Sequence, residues 1–166
     1  MAEEKAQGAA LPPLKDRQIL VAVDNCERLE RLLVGHSLTI PKSVGEAEAL
    51  LRKREFHLVV LGVHFDESRM FELLRVVRIY DCNKLTPVVC LLSGESKLSP
   101  VAIEGLDHAV KAMLANAFLD LNKFPDDRAG NGRVRRIIDY LILIDGDMHG
   151  GFRSVHEGDR PKADPR

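Results

Sequence analysis

The sequence predicts an α/β fold over residues 17–145: a doubly wound sheet of five parallel strands with helices on both faces. Short apolar runs alternate with helix-period segments five times along this stretch. Units of that length need crossover connections, which favour a parallel sheet. The run Leu58–Val63 is apolar throughout, as a central strand covered on both faces should be. Ser43 with Glu46, and Asp24 with Glu27, have the spacing of helix-capping boxes just after strand-like runs.

Ile19–Val23 is rich in strand formers and reads as the first strand. The helix after it presents Leu29, Leu32 and Leu33 inward and stops near Gly35. Ser37–Ile40 is a short strand closed by Pro41. The next helix buries Ala47, Leu50 and Leu51, and its end, Arg52-Lys-Arg54, suits the negative pole of a helix dipole. Leu58–Val63 follows as the third strand, then a helix from about Ser68 to Tyr80 with Phe71, Leu73, Leu74 and Val77 on one side. Pro87–Ser93 is the fourth strand. Ser99-Pro100 opens the fourth helix, serine as N-cap and proline at the first helical position, and it runs to about Ala115. Phe118–Leu121 is the fifth strand, and a helix over Arg133–Ile144 closes the domain. Residues 1–16, with Pro12-Pro13, read as a flexible leader. Residues 146–166, with Gly150-Gly151, Pro161 and Pro165, read as a disordered tail.

Composition narrows the function classes. A net charge of −1 argues against a general nucleic-acid binder. No apolar run approaches the roughly 20 residues of a membrane span. The acidic Met1-Ala-Glu-Glu-Lys-Ala start does not read as a signal peptide. Cys26, Cys82 and Cys90 have no framework spacing and read as reduced thiols of a cytoplasmic protein. No glycine-rich phosphate loop follows the first strand, and no serine–histidine–acid arrangement is visible.

Three stretches carry a resemblance to a known family: Ile19-Leu-Val-Ala-Val-Asp-Asn25, Leu58-Val-Val-Leu-Gly-Val63 with Phe71-Glu-Leu-Leu-Arg75, and Phe118-Leu-Asp-Leu-Asn-Lys-Phe-Pro125. Together they resemble bacterial response-regulator receiver (CheY-like) domains, over about Arg17 to Ile144. The resemblance implies a flavodoxin-like (βα)5 fold, strand order 2-1-3-4-5, and a role in two-component signalling. It also implies where an acidic site would lie, and there the sequence departs from the pattern. Gly62 stands at the position of the family's phosphoacceptor aspartate. Val23 takes the first of two acidic positions after strand one, leaving Asp24 alone. Leu92 aligns with the family's threonine or serine, with Ser93 one residue on. Lys123 matches the family lysine, although Phe124-Pro125 reverses the order that follows it.

Magnesium is usually held by one or two carboxylates plus phosphate, and one carboxylate beside a glycine is a poor site. The expectation is therefore a pseudo-receiver with no metal, cofactor or catalytic residue. Asp24 is read as a helix N-cap and Lys123 as its pairing charge. Output is expected through another signalling protein or a sister subunit. The candidate face comprises Ala109, Met113 and Ala117 on the fourth helix with Ile137 and Tyr140 on the fifth, the α4–β5–α5 surface that receivers use for partners and dimers.

Two alternatives stay open. One is a small-molecule or redox sensor using the pocket around Asp24, Cys26, Gly62 and Lys123, where the helix start could depress the Cys26 thiol pKa. The other is a receiver phosphorylated on Asp66. His57 and His64 flank the third strand without a supporting ligand, and His149 and His156 fall in the tail. Arg128, Arg133, Arg135 and Arg136 form a basic patch suited to a solvated helix face or an acidic partner.

Overall fold

Each apolar run becomes a strand, and the five strands form one sheet. In the computed structural model, which describes residues 16–94 and 97–153 and the side chains of that range up to 145, these are β1 (Gln18–Ala22), β2 (Ser37–Thr39), β3 (Leu58–Gly62), β4 (Val88–Leu92) and β5 (Ala117–Asp120). Their order is β2-β1-β3-β4-β5 and every pairing is parallel. The helices are α1 (Glu27–Leu32), α2 (Val44–Lys53), α3 (Met70–Ile79), α4 (Pro100–Ala112) and α5 (Arg128–Arg153). Both the fold class and the strand order are those the sequence predicts. Residues 1–15 of the expected leader and 154–166 of the expected tail lie outside the described residues, as do His156 and the side chain of His149, while residues 146–153, expected as disordered tail, are helical.

Alternation along the strands divides the core. Ile19, Val21, Leu58, Val60, Val89 and Leu91 pack beneath α1 and α5. Leu20, Val59, Leu61, Val88, Cys90 and Leu92 pack beneath α2, α3 and α4. Full burial of each such side chain contributes about 1.5–3 kcal/mol. Leu92 is wholly buried in this second layer.

The amino ends of the strands are fastened by side chains that accept or donate to backbone. Asn83, fully buried, donates from Nδ2 to Leu51 O and Arg54 O, both at 2.7 Å, and its Oδ1 accepts from Phe56 N at 3.0 Å. It thereby satisfies a carbonyl that α2 leaves open at its C-terminus. Arg78 donates to the carbonyls of Lys84, Thr86 and Leu114. His57 is a structural acceptor: its Nδ1 takes the Gln18 N–H at 3.0 Å. It sits at the opposite end of β3 from His64, so the two histidines do not form a pair.

His36 Nδ1 takes the Arg17 N–H at 3.4 Å. Burial lowers the pKa of His36, and Arg135 lowers it further, with Arg17 adding to them and Asp139 and Asp16 opposing. The fold therefore prefers neutral His36. Stability is full above the unfolded histidine pKa of about 6.5 and falls as the pH drops from there toward the lowered folded value. Urea midpoints at neutral and mildly acidic pH should show this loss, and His36→Gln should flatten it.

Two element boundaries differ from the sequence reading. Helix α4 ends at Ala112, and Ala117 opens β5, so that residue of the expected partner face belongs to a strand and not to the fourth helix. Helix α5 starts at Arg128 rather than Arg133 and continues to Arg153. The glycines of Ala129-Gly-Asn-Gly-Arg133 disguise its start. Gly130 is needed there because a Cβ would lie 2.0 Å from the Pro125 carbonyl oxygen. Asp127 Oδ1 caps that turn by accepting the Gly130 N–H at 2.7 Å.

Candidate functional site

The carboxyl ends of β1 and β3 open into a cavity of about 350 Å³ lined by Asp24, Gly62, Ser93, Arg28, His64 and Asp126, among others. This is the crevice where ligands of doubly wound sheets bind. Four of the residues singled out in the sequence, Asp24, Gly62, His64 and Ser93, do meet here.

Gly62 closes β3 in a tight space. A Cβ built on it would lie 3.3 Å from both Cα and Cγ1 of Val23 and 3.5 Å from the Ala22 carbonyl oxygen. Val23 is only 5% exposed. The glycine and the valine therefore fit as a pair: a methyl of one stands against the room a side chain on the other would need.

Asp24 is exposed and does not cap α1. Asn25 Oδ1 takes the Glu27 N–H at 3.1 Å instead, while Asp24 Oδ1 lies 3.4 Å from the Asp66 amide. The capping expectation holds at α2, where Ser43 Oγ accepts from Glu46 N. There Asp66 adds a second cap: its Oδ2 takes the Val44 N–H at 2.8 Å and an Arg69 donor at 3.1 Å.

Asp66 belongs to a turn, Phe65–Ser68, in which three successive residues are left-handed: Asp66 (φ 45°), Glu67 (φ 58°) and Ser68 (φ 65°). Such conformations cost roughly 1–2 kcal/mol for non-glycine residues. Glu67 is exposed, so Glu67→Gly should raise stability by about 0.5–1 kcal/mol, the relieved strain less the added unfolded-state entropy. Chemical denaturation measures it.

Lys123 is not in this cavity. Strand β5 ends at Asp120, whose Oδ1 takes the Asn122 N–H at 3.1 Å, and a 3₁₀ turn over Leu121–Lys123 carries the chain three residues further. Leu121, 6% exposed, faces the cavity, and Lys123 lines a separate groove between α4 and β5 with Asp107 and Lys111. The pairing with Asp24 expected from the sequence is therefore not made. Cys26 does not line the cavity either. Burial raises its thiol pKa, with Glu30 and Asp24 adding to the rise, opposite in sign to an activated thiolate. Cys90 is pushed up to about 12 by burial.

Arg28 is the residue that sequence reading missed. Its guanidinium donates to Asn131 Oδ1 at 2.9 Å, to Phe124 O at 2.7 Å and to Pro125 O at 3.1 Å. Arg31, one turn on, meets Asp126 at 2.7 Å, and hydrogen bonds from Asn131 and Arg31 hold the Asp126 carboxyl below its ordinary pKa. The arginines thus clamp the β5–α5 loop over the cavity. The available signal was an i, i+3 arginine pair on α1 facing the acidic pair Asp126-Asp127. Among the described residues no three of histidine, cysteine, aspartate or glutamate are grouped to hold a metal ion.

The expected partner face is mixed. Tyr140 is 65% exposed, while Ile137 packs partly into the core beneath α5 and Met113 partly into the other layer. Arg133 stacks over Phe124 and Arg135 donates to Leu32 O, which leaves Arg128, Arg133 and Arg136 as the exposed cations of the basic patch.

Comparison with solved structures places the fold among receiver domains. A response regulator from Hahella chejuensis matches with a TM-score of 0.62 at 20% identity, covering 78% of this chain and 98% of that one. The chemotaxis regulator CheY4 of Vibrio cholerae matches at 0.56 and 19%, covering 75% and 99%. NtrX from Brucella abortus matches at 0.65 and 16%, covering 87% of this chain but 31% of its own. No protein-family profile matches the sequence, and neither does any curated protein. Among the described residues no helix is long and apolar enough to cross a membrane.

Proposed function

We propose that this chain is a pseudo-receiver: a non-enzymatic two-component signalling module that acts through protein–protein contact without aspartyl phosphorylation. The reading is supported by the close packing of Gly62 against Val23, the two residues that the resemblance aligns with acidic positions of receivers. Acyl phosphate formation needs a carboxylate nucleophile and a metal ion beside it. Asp24 alone supplies neither arrangement, and Asp66 is already engaged with Val44 and Arg69. Among the similar structures, the receiver of the Pseudomonas aeruginosa kinase PA1611 holds magnesium in its active-site cleft.

Output then lies in a surface. The α4–β5–α5 face, with Ala109, Met113, Ala117, Ile137 and Tyr140, is the proposed contact for a signalling partner or sister subunit. A cytoplasmic location accords with the three unpaired cysteines.

The test is incubation with acetyl phosphate and Mg²⁺ followed by intact-mass measurement. Unmodified protein is the expected result. An added phosphoryl group that disappears in Asp66→Asn, or one mapped to Asp24, overturns the reading. A second reading, a small-molecule sensor, is favoured by the 350 Å³ cavity with its mixed polar lining. A ligand of the native state would raise the Tm by mass action, so a metabolite screen by thermal shift separates the two.

A further inference from the structure

The opposite end of the sheet carries an unexplained feature. Leu114 adopts φ 67° just after α4, the position at which helices favour glycine or asparagine. A leucine there strains the backbone, and its side chain is 68% exposed, so the fold recovers nothing from it. Two other large apolar side chains are exposed nearby, Ile79 (59%) and Leu85 (60%). One guanidinium fastens all three segments: Arg78 adjoins Ile79, holds the carbonyls on either side of Leu85, and holds that of Leu114. Scattered exposed apolar residues are ordinary. Three gathered on separate segments, one of them in a strained backbone, are not.

The patch continues into a groove of about 610 Å³ on α3, lined by Ile79, Met113, Phe71 and Val76 together with Arg75, Glu72 and Glu48. Its carboxylates are spent: Glu48 pairs with Arg52 and Glu72 with Arg69. Among the described residues Arg75 is exposed and holds no ion pair, and Arg78 donates only to carbonyls and the Asn116 side-chain oxygen. Arg52, Arg69, Arg75 and Arg78 stand against Glu48, Glu72 and Asp66, with Arg69 shared by the last two and Arg75 acting on Glu72, which leaves a single excess positive charge beside exposed hydrocarbon.

We infer that Ile79, Leu85 and Leu114 form a docking surface for an acidic amphipathic helix of a partner protein, with its apolar stripe on the patch and a carboxylate at Arg75. A second copy of this chain is a poorer occupant, because a two-fold contact repeats the same patch and would bring Arg75 toward its own equivalent. The patch lies at the amino ends of the strands, away from the cavity, and its groove borders the proposed α4–β5–α5 contact at Met113.

The probe is a short helical peptide with leucines at i, i+3 and i+7 and glutamates on their flank, titrated into labelled full-length protein. Amide shifts should centre on Ile79, Leu85 and Leu114, and Arg75→Glu should weaken binding by about tenfold or more. Leu114→Gly gives the sharper signature: it should raise the Tm by relieving the strain while weakening peptide binding by a similar factor. The inference is overturned if the peptide leaves these amides unmoved, or if a lysine-flanked version binds equally. It is also overturned if the same amides shift with protein concentration alone, which would assign the patch to self-association.

Discussion

Asn83→Ala is expected to destabilise the protein by about 3–5 kcal/mol, read as a lowered urea midpoint with an unchanged slope. The side chain is completely buried and makes three backbone hydrogen bonds: Leu51 O and Arg54 O receive its N–H groups, and Phe56 N donates to its oxygen. Truncation strands several of these groups away from water, and each buried orphan costs about 1–3 kcal/mol. Asn83→Asp should be worse at neutral pH. It sets a second acceptor against two carbonyls at 2.7 Å and buries a charge with no cation among these contacts. Acidification should recover part of that difference, because a protonated carboxyl regains one donor.

Placing an acid at the end of β3 should also be costly. Gly62→Asp is expected to lose about 3 kcal/mol or more, since overpacking a full site costs about 1–3 kcal/mol and the carboxylate enters an apolar contact. The smaller Gly62→Ala isolates the steric part. Its Cβ meets Val23 Cα and Cγ1 at 3.3 Å, for an expected loss of about 1–2 kcal/mol. In a Val23→Ala background one of those two contacts is gone, and the cycle should show a favourable coupling of about 0.5–1 kcal/mol. Additive losses would mean that the two residues are not fitted to each other, and the pseudo-receiver reading would lose its main support.

Much of the fold was legible because it rests on local signals. Strand β3 reads as buried because Leu58–Leu61 is apolar on both faces, and Ser43 and Ser99 mark helix starts that they do in fact cap. What escaped were features fixed by contacts distant in sequence. The start of α5 looked like a loop because of Gly130, whose need arises from Pro125 pressing against it. Lys123 aligned with a family lysine by residue order, but the 3₁₀ turn after Asp120 displaces it into another groove. Arg28 gave no apolar or motif signal; its partners lie more than ninety positions away. Asp24 had the spacing of a cap, yet Asn25 does that work.

The placement of α5 has a consequence for synthesis. Val134, Ile138, Leu141 and Ile142 cover Ile19, Val21, Leu58 and Val60, laid down more than seventy positions earlier. A nascent chain that has emerged only through β5 therefore has α1 alone on that face of the sheet, and the part α5 would cover is ready to stick to neighbours. Ribosome-bound chains halted before Arg128 should aggregate or recruit a holding chaperone, and release of some twenty further residues should end that exposure in one cooperative step.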